Sequence, residues 1–140
     1  MRCIHLFATA AAIAAFSGLA QAGEAAQANA SWKNGIHRTD LVKQDIRVHG
    51  HEVIQARVDI DPGVASPRHS HPGEEVAYVI SGTFEYQLAG REPVILKAGE
   101  SLFIPDGVPH VAKNIGNEPA SELATYTVRK GEEPLLKLEQ

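Results

Sequence analysis

The sequence predicts an all-β protein built as a jelly-roll β-barrel, and three observations carry that prediction. Stretches of apolar and polar alternation recur between residues 46 and 129, Gly- and Pro-bearing turns separate them, and beyond the apolar amino end no segment repeats with a helical period. Short strands broken by turns at intervals of about eight to twelve residues are the pattern of a sandwich or barrel. A length of 140 residues suits one such domain.

The amino end is expected to lie outside the barrel. Met1 and Arg2 make a short positive start, residues 4–20 are apolar and rich in Ala, and Ala20-Gln21-Ala22 has the small-x-small form that a signal peptidase cuts after. Residues 1–22 therefore read as a cleaved signal peptide, with a periplasmic or secreted mature chain that starts near Gly23. The apolar run contains Thr9, Ser17 and Gly18 and is short for a spanning helix, so no membrane association is expected after cleavage. Cys3 precedes the run, on the wrong side for a lipid-modified cysteine, and cleavage removes it. Since it is the one cysteine of the chain, disulfides, thiolate catalysis and Cys-ligated zinc are excluded from the mature protein.

Charge narrows the partners further. The 13 Lys and Arg against 17 Asp and Glu give a formal net charge of −4, made one unit more negative by loss of Arg2. A mildly acidic chain without a basic run gives no reason to expect nucleic acid or an anionic membrane as partner. One arginine, not two, precedes the apolar run, which implies export of an unfolded chain.

Residues 23–45 read as a leader and N-terminal arm. Gly23 to Ser31 lacks large apolar side chains, and Trp32 to Asp45 reads as irregular, with a short strand near Thr39 to Val42 and with Trp32 or Ile36 packing on the barrel or on a second subunit. The barrel domain spans 46–130. Past Gly50, a hairpin turn, Gln55, Arg57 and Asp59 alternate with Ile54, Ala56, Val58 and Ile60. Asp61-Pro62-Gly63 turns the chain, Pro67 stiffens the approach to His69, and Pro72-Gly73 turns it again. Val76 to Ile80 reads as a continuous apolar strand ended by Ser81-Gly82. Phe84, Tyr86 and Leu88 alternate with Glu85 and Gln87. A turn at 89–92 leads to Val94 to Lys97, and Ala98-Gly99-Glu100 leads to Leu102-Phe103-Ile104, with Phe84 and 102–104 read as barrel packing. The last strand, Glu122 to Arg129, sets Ala124, Tyr126 and Val128 against Leu123, Thr125 and Thr127. Residues 131–140 read as a tail able to pack across a neighbour.

Within this frame His69, His71, Glu75 and His110 stand out. Imidazole and carboxylate hold divalent metals, and strand alternation sets His69 and His71 on one face. Glu74 has the opposite parity to Glu75 and reads as a rim or solvent residue. His49 and His51 repeat the same spacing, but they flank a turn and no third ligand follows, so they read as a surface hairpin.

The surroundings of these four residues resemble the cupin superfamily. Its first motif, G-x5-H-x-H-x3-E-x6-G, is met by Gly63, His69, His71, Glu75 and Gly82. Its second, G-x5-P-x-G-x2-H-x3-N, is met by Gly99, Pro105, Gly107, His110 and Asn114. The resemblance is to small single-domain cupins of the quercetin-dioxygenase-like kind. It implies a double-stranded β-helix over 46–130 and one divalent metal ion held by His69, His71, Glu75 and His110, with iron, manganese, nickel, copper and zinc not distinguished. It also implies a homodimer. Asn114, although a motif position, reads as a turn residue that satisfies backbone groups.

Three neutral imidazoles and one carboxylate leave a divalent ion with one net positive charge and positions open to a small, oxygen-rich chelating substrate. With a redox metal the resemblance implies an oxidoreductase of the kind known for flavonol- and diketone-cleaving dioxygenases. With a Lewis-acid metal the same site implies a lyase or isomerase acting on an enolisable compound, and capture of a metal or ligand without turnover is a third reading. Glu75 doubles as a candidate base, and Tyr78 and Tyr86 are candidate proton donors.

Overall fold

The computed structural model describes residues 35–132 and 136–139, all within one compact unit that spans 31–140. The expected signal peptide and Trp32 lie outside the described residues. Ten strands and no helix occur among those described. One five-stranded sheet runs in the order β1 (Ile36–Asp45), β2 (His51–Ile60), β9 (Ala120–Arg129), β4 (Gly73–Ser81) and β7 (Ser101–Ile104). The other runs β10 (Lys137–Leu138), β3 (His69–Ser70), β8 (His110–Asn114), β5 (Thr83–Leu88) and β6 (Val94–Lys97). Every pairing is antiparallel, and the fold is the double-stranded β-helix that the motifs imply.

The inner faces of the two sheets make the core. Alternation delivers Ile60 from β2, Ala77 and Val79 from β4, Phe84 and Tyr86 from β5, Ile104 from β7 and Ala112 from β8 into one buried cluster. Phe84 is fully buried, and burial of one such ring stabilises the fold by roughly 1.5–3 kcal/mol. A second cluster of Ile54, Ala124, Tyr126 and Val128 lies along β2 and β9.

Four expectations are corrected. The arm does not end irregularly with a short strand at Thr39 to Val42. It forms ten-residue β1, which pairs with β2 from Glu52 to Ile60 apart from one irregularity between Asp40 and Val42, and buries Ile36 in the core. The apolar run Val76 to Ile80 is not buried throughout: β4 pairs with both β7 and β9, so Ala77 and Val79 point inward while Val76, Tyr78 and Ile80 are exposed. Phe103, opposite Val76, is also exposed, because Leu102 and Ile104 take the inward side of β7. The tail does not wait for a neighbour. Lys137 and Leu138 pair with Ser70 and His69 as β10, and Ser70 donates its hydroxyl proton to Glu139 at 2.6 Å.

Two glycines are demanded by close approach. A Cβ at Gly73 (φ 151°) would collide with the Thr127 carbonyl oxygen, because β4 begins tight against β9. At Gly82 (φ 81°) a Cβ would run into Ala120. Asn114 closes the other end of the motif as a turn residue. Its amide nitrogen donates to the Ile60 and Glu118 carbonyls at 2.8 Å each, and its carbonyl accepts from Gly116 N–H at 2.9 Å.

Candidate metal centre

Three strands bring the candidate ligands together. His69 on β3 is the direct ladder partner of His110 on β8, and His71 follows two residues later, where the chain leaves β3. The His71 carbonyl accepts the Gly107 N–H at 3.0 Å, which ties the second motif's turn to the first motif. Pro72-Gly73 then reverses the chain so that Glu75, inward on β4, comes back to the imidazoles. The ring centroids lie 4.2 Å apart for His69 and His110, 4.9 Å for His69 and His71, and 5.2 Å for His71 and His110. Glu75 Oε2 lies 3.0 Å from His71 Nε2 and 3.4 Å from His110 Nε2, and all four side chains are buried.

The donor set fits a metal ion. One nitrogen from each of His69, His71 and His110 falls within 4.8 Å of the others. His69 Nδ1 lies 2.8 Å from the Pro67 carbonyl and His110 Nδ1 lies 2.9 Å from the Val108 carbonyl. A carbonyl only accepts, so each Nδ1 carries the proton and, in the neutral ring, each Nε2 keeps its lone pair for a cation. Burial, helped by the neighbouring His110 and His71, drives His69 down to about 3, which keeps it neutral. Burial alone would raise Glu75, but hydrogen bonds from His110 and His71 overcome it and hold the carboxyl at about 2, ionised. For His110 burial is likewise outweighed, here by Glu75, and its pKa is raised. A cation at His110 Nε2 would therefore compete with protonation of that ring, which Glu75 favours.

The cluster opens on a cavity of about 40 Å³ inside the barrel, walled by Ile36, Val58, Ile60 and Ala112. That is room for a few water molecules or a ligand of a few heavy atoms. The cavity also holds Tyr86, one of the two candidate proton donors, together with Glu122 and Tyr126, which the sequence reading did not place at the site. Tyr86 donates a short hydrogen bond to Glu122 on β9, and both face the cavity with Glu75 and His110. Burial, followed by the nearby charge of Glu75, pushes Glu122 up to about 8, so near neutrality it holds a proton. Burial and the Glu122 charge raise Tyr86 as well. Tyr126 completes this wall, its ring 4.7 Å from that of His71. Glu122 was open to detection, since it shares its strand parity with Ala124, Tyr126 and Val128.

Tyr78, by contrast, is not brought to the histidines. It is 42% exposed on the outer face of β4, because a residue three positions from Glu75 in a strand points the other way. Glu74 is exposed, as its parity requires. His49 and His51 sit at the β1–β2 hairpin, where His51 Nδ1 meets the His49 carbonyl at 3.1 Å.

An all-β double-stranded helix with three convergent imidazoles, able to hold a metal, and a carboxylate beside them defines the class as a jelly-roll protein with a candidate metal centre. The cupin domain profile matches residues 56–126, and the chain belongs to the cupin family. It is 37% identical over 76 residues to germin-like protein subfamily 2 member 2 of Arabidopsis thaliana, which covers 51% of this chain and 35% of that protein. Among solved structures, dimethylsulfoniopropionate lyase DddQ of Ruegeria pomeroyi superposes with a TM-score of 0.62 at 23% identity over 80% of this chain and 55% of that one, a likeness of fold. An oxalate oxidase in complex with glycolate superposes with a TM-score of 0.57 at 28% identity, over 69% of this chain and 52% of that one. The chain thus spans about half or less of the length of these relatives.

Proposed function

We propose that this cupin is a metal-dependent enzyme that acts on a small, oxygen-rich substrate chelated beside His69, His71, Glu75 and His110. The observation that carries the reading is the opening of His69, Glu75 and His110 onto a cavity shared with the Tyr86–Glu122 pair. A divalent ion held by the three imidazoles and Glu75 would supply Lewis acidity to a chelated oxygen and, if redox-active, electron transfer with dioxygen. The apolar part of the wall, with Ile36, Val58, Ile60 and Ala112, lowers the local dielectric and strengthens charge interactions inside. Glu122 holds a proton at the cavity, and Tyr86 orients that carboxyl through its hydrogen bond.

Within this reading the first assignment is an oxidoreductase of the dioxygenase kind, in keeping with the likeness to an oxalate oxidase. A non-redox lyase or isomerase is the second. Glu122 favours it, because a buried acid that can return a proton to substrate needs no oxidant, and the likeness to a lyase points the same way. Export to the periplasm or beyond belongs to the same proposal, supported by residues 1–22. A homodimer does too, supported by the exposed Val76, Tyr78, Ile80 and Phe103 on neighbouring strands of one sheet face; light scattering that finds only monomer would remove it.

Elemental analysis of the mature protein from its export compartment, paired with an oxygen-electrode assay on small diketones and hydroxy acids, tests the function. A bound redox metal with oxygen consumption supports the oxidoreductase. Product formed under strict anaerobiosis supports the lyase or isomerase. A preparation that retains no metal at all overturns both.

A further inference from the structure

Arg38 stands apart from the rest of the cavity wall. It is the one Lys or Arg among the described residues that line the cavity, and it comes from β1, outside the stretch 56–126 matched by the cupin domain. Its place is set by register: Arg38 pairs with Val58 across β1 and β2, and Val58 pairs with Glu122 across β2 and β9, so the three form one row on the sheet. The side chain is only 20% exposed, whereas the strand beyond it runs into solvent.

The guanidinium is held and only partly used. Arg38 Nε–H donates to Asp40 Oδ1 at 2.8 Å, and the guanidinium carbon lies 5.5 Å from the centroid of the Tyr126 ring, where the ring face attracts a cation. Asp40 is 72% exposed, so water screens most of its charge. A guanidinium offers five N–H donors in a planar fork, and the contacts to Asp40 through Nε and to the Tyr126 side chain leave further donors to serve an acceptor. The other acids of the wall do not compete for it as free anions. Glu75 is engaged with His71 and His110, and Glu122 accepts from Tyr86 while holding its own proton.

We infer that Arg38 anchors a carboxylate of the substrate on the cavity wall beside Tyr126, so that the substrate class is a small carboxylic acid. The inference rests on the proposed function for the idea that a substrate enters this cavity. It adds the anion and the residue that selects it. An arginine fork matches a carboxylate with two parallel hydrogen bonds, and a neutral amide of the same size cannot return both. A cavity with room for a few heavy atoms brings such an anion within reach of both the imidazoles and Arg38. Specificity in this chain would then be set by the amino-terminal strand and not by the motif residues.

Calorimetric titration of the full-length mature protein, as purified, with malonate and with malonamide tests this. Wild type is expected to bind malonate at least tenfold more tightly than malonamide. Arg38→Gln should abolish that preference, and Arg38→Lys, which keeps the charge without the fork, should retain part of it. Circular dichroism melting identifies a variant that fails to fold, and in that case Arg38→Lys carries the comparison. Equal malonate affinity in wild type and both variants overturns the inference, as does a wild type that binds no malonate or does not distinguish the two ligands. Metal content is measured on the same samples. Absence of metal would sink the proposed function, while the malonate contrast between wild type and variants would still decide the role of Arg38.

Discussion

His69 and His110 face each other across the ladder between β3 and β8, ring centroids 4.2 Å apart, and each ring is locked by the same device. In both, Nδ1 meets the carbonyl of the residue two positions earlier, Pro67 for one and Val108 for the other. Two strands thus present the same nitrogen to one point. Because the tautomer is set by backbone and not by a mutable side chain, the ligand geometry survives changes elsewhere in the barrel.

His71→Ala should empty the centre. Two imidazoles and a carboxylate make a poorer site, and retention after dialysis is expected to fall on the order of a hundredfold or more, beyond the 10–100-fold typical of losing a supporting residue. Metal counted per chain by elemental analysis gives the answer, and a full complement would remove His71 from the set. Chelation of wild type should lower its melting temperature, since a ligand that binds only the folded state stabilises it by mass action.

Glu75→Gln separates two roles for one side chain. A ligand role predicts that metal is lost, because the amide replaces the anion 3.0 Å from His71 Nε2. A base role predicts that metal stays and turnover stops. Loss of metal is the expected result, given a carboxyl held ionised at about 2 between two imidazoles.

Glu122 makes stability fall as pH rises. Its pKa goes up from the ordinary 4.5 to about 8 on folding, so between those values the folded state holds a proton that the unfolded state releases. The contribution is whole below about pH 4.5 and is lost as pH climbs through about 8. Glu122→Gln keeps an acceptor for Tyr86 but cannot ionise. Denaturant midpoints at pH 5 and pH 8 should therefore differ more for wild type than for the variant, and equal slopes would contradict the buried acid. The same substitution should strongly reduce turnover without removing metal.

Tyr78→Phe should leave metal content and turnover unchanged, because the hydroxyl lies on the outer sheet face. A drop of tenfold or more in turnover with metal retained would mean that Tyr78 reaches a substrate after all, through another subunit.

Gly73→Ala tests the tight start of β4. A methyl group there meets the Thr127 carbonyl oxygen, and the backbone is already in a region that favours glycine, so destabilisation should exceed about 1 kcal/mol. Gly50→Ala is the control: it also has positive φ, but nothing lies near its added methyl, and it should cost less.

The residue order by itself determined the fold class, the turns and the four candidate ligands. These are local properties: alternation assigns a face, Gly and Pro mark reversals, and His69, His71 and Glu75 fall within one turn-and-strand unit, with His110 recognisable from its own motif. Alternation was also enough to turn Tyr78 away from Glu75 and to set Glu122 on the face of Tyr126, although the unbroken apolar run 76–80 hides the first. Tertiary structure alone decided that β9 lies between β2 and β4, that β1 completes that sheet, and that the tail pairs with β3. Arg38, Tyr86 and Glu122 meet beside the histidines only through that closure, since strand period says which way a side chain points and not which strand it will face.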